Sequence, residues 1–186
     1  MTAQNTDEYQ QMSKAVSEWD RRKALVAHHE AGHAILAIKL DVTFGRVTIA
    51  PNADSLGHIT LHRLLKRGDL EWGGDVSKKW RIDRAMLIVL AGPYAQKRQA
   101  PQSRWRTRNY IGFNGGGDFD RVINLKWGLH EDDKVAKKYL QYMEAWTEQL
   151  VERYWPNIEA VAQALMERET LTYAETRTAN WEALKI

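Results

Sequence analysis

The feature that most constrains the fold is a stripe of residues at helical spacing in the first quarter of the sequence. Between about residues 20 and 40, steps of three and four residues connect positions that share one face of a helix. The stripe consists of Val26, His29, His33, Ala37 and Leu40. Because apolar side chains flank both histidines on this face, we expect a long core helix that turns both imidazoles inward.

The length and composition of the chain are those of one folded unit. Its 186 residues are 44% hydrophobic and 27% charged, which is ordinary for a globular domain. Residues 1–12 lack hydrophobic periodicity, so we expect a flexible leader there and a single domain over residues 13–186. No segment resembles a membrane span or a signal peptide, which predicts a cytoplasmic protein without membrane contact.

The absence of cysteine restricts the chemistry that this chain can support. Without thiolate ligands, thiol nucleophiles or disulfides, a metal site has to use His, Asp or Glu. The formal net charge of +3 is too small by itself to indicate nucleic-acid binding.

The remaining patterns predict a mainly α structure with a small β-hairpin or sheet, in the α+β class. Residues 47–50 and 58–62 are β-branched or alternating, and the turn formers between them favour a hairpin or two neighbouring strands. Residues 78–92 have a helical pattern that Gly92 and Pro93 should kink or end. Further helical patterns and a capping box follow at residues 118–129, 135–154, 156–165 and 172–175.

Residues 29–33 fit the pattern H-E-x-x-H. Residues four apart lie about 40° from each other around a helix axis, so the His29 and His33 imidazoles can reach one ion. Glu30 lies about 100° to the side, where its carboxylate can take a proton from a metal-activated water. The pattern predicts a zinc site with Glu30 as general base, although two core histidines without a metal would give the same spacing.

A catalytic zinc site requires a third protein ligand from outside this helix. The extension that supplies a third histidine in metzincins is absent, because Leu36 and Lys39 replace the required glycine and histidine. Asp118 is the best candidate, since three glycines precede it and a helical pattern follows, which places its carboxylate in a first helical turn. An N-capping aspartate without a metal would have the same position, so spacing alone leaves both interpretations open.

Four segments of the sequence extend the pattern beyond the two histidines. They are residues 29–34 (HEAGHA), residues 47–57 with VTIAP and LG, residues 90–95 (LAGPYA) and residues 117–121 (GDFDR). In this order they resemble the peptidase domain of FtsH-type proteases, zinc enzymes normally fused to an AAA ATPase, and the resemblance extends over roughly residues 20–175. It implies a zincin-like helical peptidase fold with His29, His33 and Asp118 as zinc ligands and Glu30 as catalytic base.

Three departures from the FtsH pattern leave every implied ligand in place. Gln96 stands where the family usually has glutamate, Pro93 replaces an arginine, and the loop before Asp118 is longer. The sequence also contains no G-x-x-x-x-G-K-[ST] phosphate loop, so we expect no ATP use of its own. The resemblance implies a zinc-dependent endopeptidase for unfolded or accessible protein segments, with self-association or a separate ATPase as further expectations.

A second segment, with Arg104, Arg106 and Arg108 around Trp105, allows a function of another class. Cations that alternate with an aromatic side chain can bind nucleic acid or an acidic partner, in which case a zinc site would be structural. A solvated loop explains the same composition, and we favour that interpretation over nucleic-acid binding.

Two further expectations concern substrate binding. An extended substrate could add to the edge of the sheet formed by residues 47–62, because backbone pairing holds a peptide without reading its sequence. Lone histidines more often have surface or packing roles than functional ones, and we expect such roles outside the motif. The histidines concerned are His28, His58, His62 and His130.

Overall fold

The N-terminal part of the chain forms one long helix, α1, which spans Ala3–Lys39. The structure is a computed structural model that describes residues 3–53, 55–62, 64–66, 69, 76–101, 118, 122, 124, 125 and 132–182. The predicted core helix is present, but residues 3–12 are helical where we expected a flexible leader. A helix needs no apolar periodicity where residues such as Ala, Gln, Glu and Met supply high intrinsic propensity.

The described part of the chain after α1 contains four further helices and three short strands. In chain order these are β1 (Phe44–Thr48), β2 (His58–Leu61), α2 (Val76–Gln99), α3 (Asp133–Arg153), α4 (Trp155–Arg168), β3 (Thr170–Thr172) and α5 (Tyr173–Glu182). Asp118, Val122, Asn124 and Leu125 also have helical backbone, as the pattern over residues 118–129 predicts. The predicted mainly helical fold with a small sheet is therefore confirmed.

The three strands form an antiparallel sheet in the order β2-β1-β3. β1 and β2 are the predicted pair, with Val47 opposite Ile59, and Val47 also faces Leu171 on β3. The sequence patterns did not indicate β3, because a three-residue strand is too short for a recognisable alternation. Strand β3 pairs with one edge of β1. Among the described strands, the unpaired edge of the segment 47–62 is therefore the outer edge of β2.

Helix α2 continues beyond Gly92 and Pro93 to Gln99, so of the two outcomes expected there, a kink or an end, the helix end is wrong. Proline removes one helical hydrogen bond, a cost of about 3 kcal/mol in an unsupported helix. Here the helix is held on both sides of Pro93 by burial, since Ile88, Ala91 and Ala95 are fully buried in the core that contains α1. Tertiary packing thus outweighs the local preference of the sequence.

Helices α1 and α2 are in close contact at Gly32. A Cβ atom on Gly32 would lie 2.6 Å from the carbonyl oxygen of Ala91 and 2.9 Å from the Cβ atom of Ala95. Neither neighbour is the end of a flexible side chain, so only a glycine allows this approach. The side chains of Ala31 and Ala34, which flank Gly32 on α1, are also small and fully buried.

The C-terminal helices close the core behind α1. Trp155, Ile158 and Leu165 of α4 are buried in the same hydrophobic cluster as α1 and β1. The predicted capping box opens α5, since the Thr172 amide donates to Glu175 Oε2 at 2.8 Å and the Glu175 amide donates to Thr172 Oγ1 at 3.3 Å. Within the described ranges, no helix has the length and apolar character that crossing a membrane requires.

Replacing Gly32 by alanine should lower the free energy of unfolding by roughly 1–3 kcal/mol, because the added methyl group overlaps backbone of α2. Gly45→Ala is the matched control, since a Cβ atom there would meet only the Thr60 carbonyl oxygen, at 3.9 Å. Urea denaturation of both variants measures the difference. Equal losses of stability in the two variants would show that the α1–α2 contact is not the constraint described here.

Candidate metal centre

Helix α1 places His29, Glu30 and His33 on its buried side, where α2 covers them. The three side chains belong to residues that are 7%, 5% and 5% exposed, respectively. The Nε2 atoms of His29 and His33 lie 3.0 Å apart, as expected for residues one helical turn apart that converge on one point. The helix predicted from the stripe therefore brings both imidazoles to one site.

Asp118 completes a triangle with the two histidines, although it is distant in the sequence. Its Oδ2 atom lies 3.1 Å from His29 Nε2 and 3.2 Å from His33 Nε2. The three residues form a group whose ligand atoms could hold one metal ion. Because zinc–ligand distances of about 2.0–2.2 Å put tetrahedral ligand atoms roughly 3.3–3.5 Å apart, only small movements would seat an ion on this face.

The outer nitrogen of each imidazole faces a hydrogen-bond acceptor. His29 Nδ1 donates to Gln96 Oε1 at 3.1 Å, and His33 Nδ1 donates to the carbonyl oxygen of Ile88 at 2.7 Å. With the proton on Nδ1, a neutral imidazole presents a lone pair at Nε2. Both lone pairs therefore point at the Asp118 carboxylate, an arrangement that requires a cation between them and matches the supporting contacts of metal-bound histidines.

The charges of this cluster depend on one another. Although burial favours the neutral imidazole, the Asp118 carboxylate raises the pKa of His33 to about 9. Burial likewise opposes ionisation of Asp118, but the imidazoles of His33 and His29 hold the pKa of that carboxyl well below its usual range. Without a metal, the site thus binds a proton, which supplies the positive charge opposite the Asp118 carboxylate. A metal cation would supply the same charge.

Gly92 allows α2 to cover the two histidines. A Cβ atom at this position would overlap the Nε2 and Cε1 atoms of His33 and would lie 2.9 Å from Cδ2 of His29. The imidazole rings are therefore packed against bare backbone. Pro93 follows directly, so the segment that looked like a helix end is the inner wall of the site.

Glu30 lies beside the triangle without belonging to it. Burial raises the pKa of its carboxyl, while the His29 and His33 imidazoles act in the opposite direction. Its Oε2 atom is buried and has no hydrogen-bond partner among the described residues. A carboxylate that is held next to a metal position and is not used by the protein itself can act as a proton acceptor.

The remaining histidines divide between packing contacts and one position near Glu30. The His28 ring stacks on Trp155 with 5.5 Å between centroids, and its Nδ1 donates to the Ala24 carbonyl oxygen. His62 Nδ1 lies 2.7 Å from the Thr43 hydroxyl at an exposed position. These contacts agree with the ordinary roles that we expected, whereas His58 is close enough to Glu30 to lower the pKa of its carboxyl.

Some predicted positions fall outside the described residues. These are His130 and the arginine-rich group with Arg104, Arg106 and Arg108. Conversely, the structure assigns roles that the sequence patterns did not. Gln96 was recognised only as a departure from the FtsH pattern, and Gly92 only as a helix breaker. A carbonyl oxygen such as that of Ile88 gives no signal in a sequence at all.

Comparison with known proteins finds similarity to one group of enzymes. No protein-family model matches the chain. The ATP-dependent zinc metalloprotease FtsH of Thermus thermophilus is 30% identical to it over 196 aligned positions, which cover 88% of this chain and 29% of the relative. The corresponding protein of Acidimicrobium ferrooxidans is 27% identical over 191 aligned positions, covering 84% of this chain and 27% of the relative.

The chain resembles FtsH zinc metalloproteases. The similarity extends over most of its length, yet the chain spans less than a third of the length of either curated relative. The similarity to FtsH comes from comparison of the sequences. The cluster of His29, His33 and Asp118 that could hold a metal ion comes from the geometry of the side chains.

Replacing Gln96 by leucine should weaken zinc binding about 10- to 100-fold, because the His29 ring loses the acceptor that fixes its tautomer and orientation. Gln99→Leu is the matched control on the exposed side of the same helix. Zinc affinity would be measured by competition with a chromogenic chelator. If the two variants bind zinc equally well, Gln96 does not support the centre.

Proposed function

We propose that this chain is a zinc-dependent endopeptidase in which His29, His33 and Asp118 hold the metal and Glu30 is the general base. The observation that carries the proposal is the convergence of two imidazole lone pairs and one carboxylate oxygen within 3.0–3.2 Å, with a second, buried carboxylate beside them. A purely structural site would have no need of Glu30, whose buried Oε2 has no partner among the described residues.

The donor set favours zinc over other divalent ions. Two imidazole nitrogens and one carboxylate oxygen are the kind of three-ligand set that zinc has in catalytic sites, whereas magnesium and calcium prefer oxygen ligands alone. Both curated relatives are named zinc metalloproteases, which supports the same assignment. Bound there, zinc would supply a Lewis acid that polarises a peptide carbonyl and makes water more acidic.

Glu30 provides the proton transfer in this proposal. It accepts a proton from the attacking water as a carbon–oxygen bond forms at the peptide carbonyl, and it delivers that proton to the leaving amine when the carbon–nitrogen bond breaks. The proton that Glu30 takes from water is therefore the same one that the leaving amine receives. Burial raises the pKa of the Glu30 carboxyl, which strengthens it as a base compared with a solvated glutamate.

The sheet supplies a place for the substrate. The outer edge of β2 carries no further strand among the described residues, and Gly57, directly before β2, lies against Glu30. An extended peptide that paired with β2 would therefore pass close to the general base. We propose unfolded or accessible protein segments and peptides as substrates, because backbone pairing requires an extended chain.

Replacing Glu30 by glutamine should lower the rate of casein cleavage by about 100- to 10,000-fold and leave one equivalent of zinc bound, since the amide cannot accept the proton. Asp118→Ala should instead lose zinc. Glu148→Gln, an exposed change on α3, is the control for glutamate substitution. Cleavage would be followed with fluorescent unfolded casein, with metal content measured on the same samples. Full activity of Glu30→Gln would show that the assignment of the base is wrong.

A further inference from the structure

His58 stands at the place where the sheet meets the metal centre. It is the first residue of β2, and the preceding residue, Gly57, packs against α1. A Cβ atom on Gly57 would lie 2.9 Å from Glu30 Cγ and 3.0 Å from Glu30 Oε1. The backbone that carries His58 is thus in contact with the side chain proposed as the general base.

The imidazole of His58 has one nitrogen for which the described part of the fold offers no partner. Its Nδ1 atom is buried and has no hydrogen-bond partner among the described residues, and the same is true of Glu30 Oε2. Leaving such an atom unpaired costs about 1–3 kcal/mol. Two of these atoms lie beside the candidate metal position without a partner in the described part of the chain, and both are therefore available to a ligand.

The other described histidines show that this situation is specific to His58. His29 and His33 bind Gln96 and Ile88 through Nδ1. The Nδ1 atoms of His28 and His62 likewise contact the Ala24 carbonyl and the Thr43 hydroxyl. Because no described residue holds the Nδ1 atom of His58, a rotation about its side-chain torsions would break no hydrogen bond of that atom. The residue as a whole is half-buried.

We propose that His58 is a catalytic residue that donates a hydrogen bond to the carbonyl oxygen of the scissile peptide. The peptide that pairs with β2 would bring this carbonyl group between His58 and Glu30, with its oxygen towards His58. As water adds to the carbonyl, negative charge develops on the oxygen, and a donor aimed at it stabilises the transition state more than the bound substrate. The inference rests on the proposed peptidase function. It revises our expectation of an ordinary packing role for His58.

The electrostatics of the site agree with this placement. The ionised carboxylate of Glu30 is negatively charged, and His58 is among the groups that lower the pKa of this carboxyl. In this arrangement the reacting carbonyl lies between the two side chains. His58 would donate to the carbonyl oxygen on one side, and Glu30 would accept a proton from water on the other. Loss of a single donor of this kind lowers kcat by about 100- to 1,000-fold in enzymes that cleave acyl bonds.

The experiment compares His58→Phe, His58→Asn and the control His62→Phe in the zinc-loaded protein. Phenylalanine keeps an aromatic ring but removes the nitrogens, whereas asparagine retains an amide near the position of Nδ1. The first measurement is the calorimetric affinity for a peptide phosphonate, whose tetrahedral oxygens mimic the attacked carbonyl. The second is the split between kcat and KM for a fluorogenic peptide.

We expect His58→Phe to weaken phosphonate binding at least tenfold and to lower kcat with little change in KM, at full zinc content. His58→Asn should recover part of both losses, and His62→Phe should match the wild type. If His58→Phe retains wild-type phosphonate affinity and kcat, the role of His58 is refuted while the peptidase stands. If the wild-type protein neither binds the phosphonate nor cleaves the peptide, the proposed function itself is refuted, and the inference with it.

Discussion

The contact between α1 and α2 is the constraint on which the rest of the structure depends. At Gly32 the two backbones approach so closely that a Cβ atom would lie 2.6 Å from the Ala91 carbonyl oxygen. At the next residue of α1, the same contact brings the His33 ring onto Gly92 and its Nδ1 onto the Ile88 carbonyl. A separation larger by even one methyl group would leave that Nδ1 unpaired and the imidazole free to turn.

The metal centre adds an electrostatic constraint to this geometric one. Asp118 is a partly buried carboxylate whose oxygen lies against two imidazole nitrogens, and burial of such a group is tolerated only with compensating positive charge. The cluster therefore has a built-in preference for a cation, which the protein itself satisfies with a proton on His33. Glu30, the residue after His29, is coupled to this charge balance through both imidazoles but does not belong to the triangle of possible ligands.

Much of this arrangement could be predicted from the sequence because it depends on local spacing. The histidine stripe, the pairing of residues 47–50 with 58–62 and the Thr172 capping box each involve residues that are near one another in the chain. Asp118 shows the limit of such reasoning, since its capping and metal-binding interpretations have the same local pattern. The resemblance to FtsH proteases favours the metal-binding interpretation, and in the fold Asp118 contacts His29 across 89 residues.

Other features could not be predicted because tertiary packing overrides local preference. Pro93 is a helix breaker by every local criterion, yet buried alanines on both sides keep α2 continuous. Residues 3–12 are helical without any apolar stripe, and β3 is recognised only through its pairing with β1. The role of Gly92 depends on the His29 and His33 rings that lie opposite it. Composition and periodicity carry no information about such a contact.

The order of the proposed ligands along the chain has a consequence for biosynthesis. His29 and His33 precede Asp118, which lies 89 residues after His29, and the wall that contains Gly92 lies between them. A nascent chain that has not reached Asp118 therefore contains two members of the proposed ligand set. Under that assignment, the complete set forms only after the segments that carry all three residues have been made.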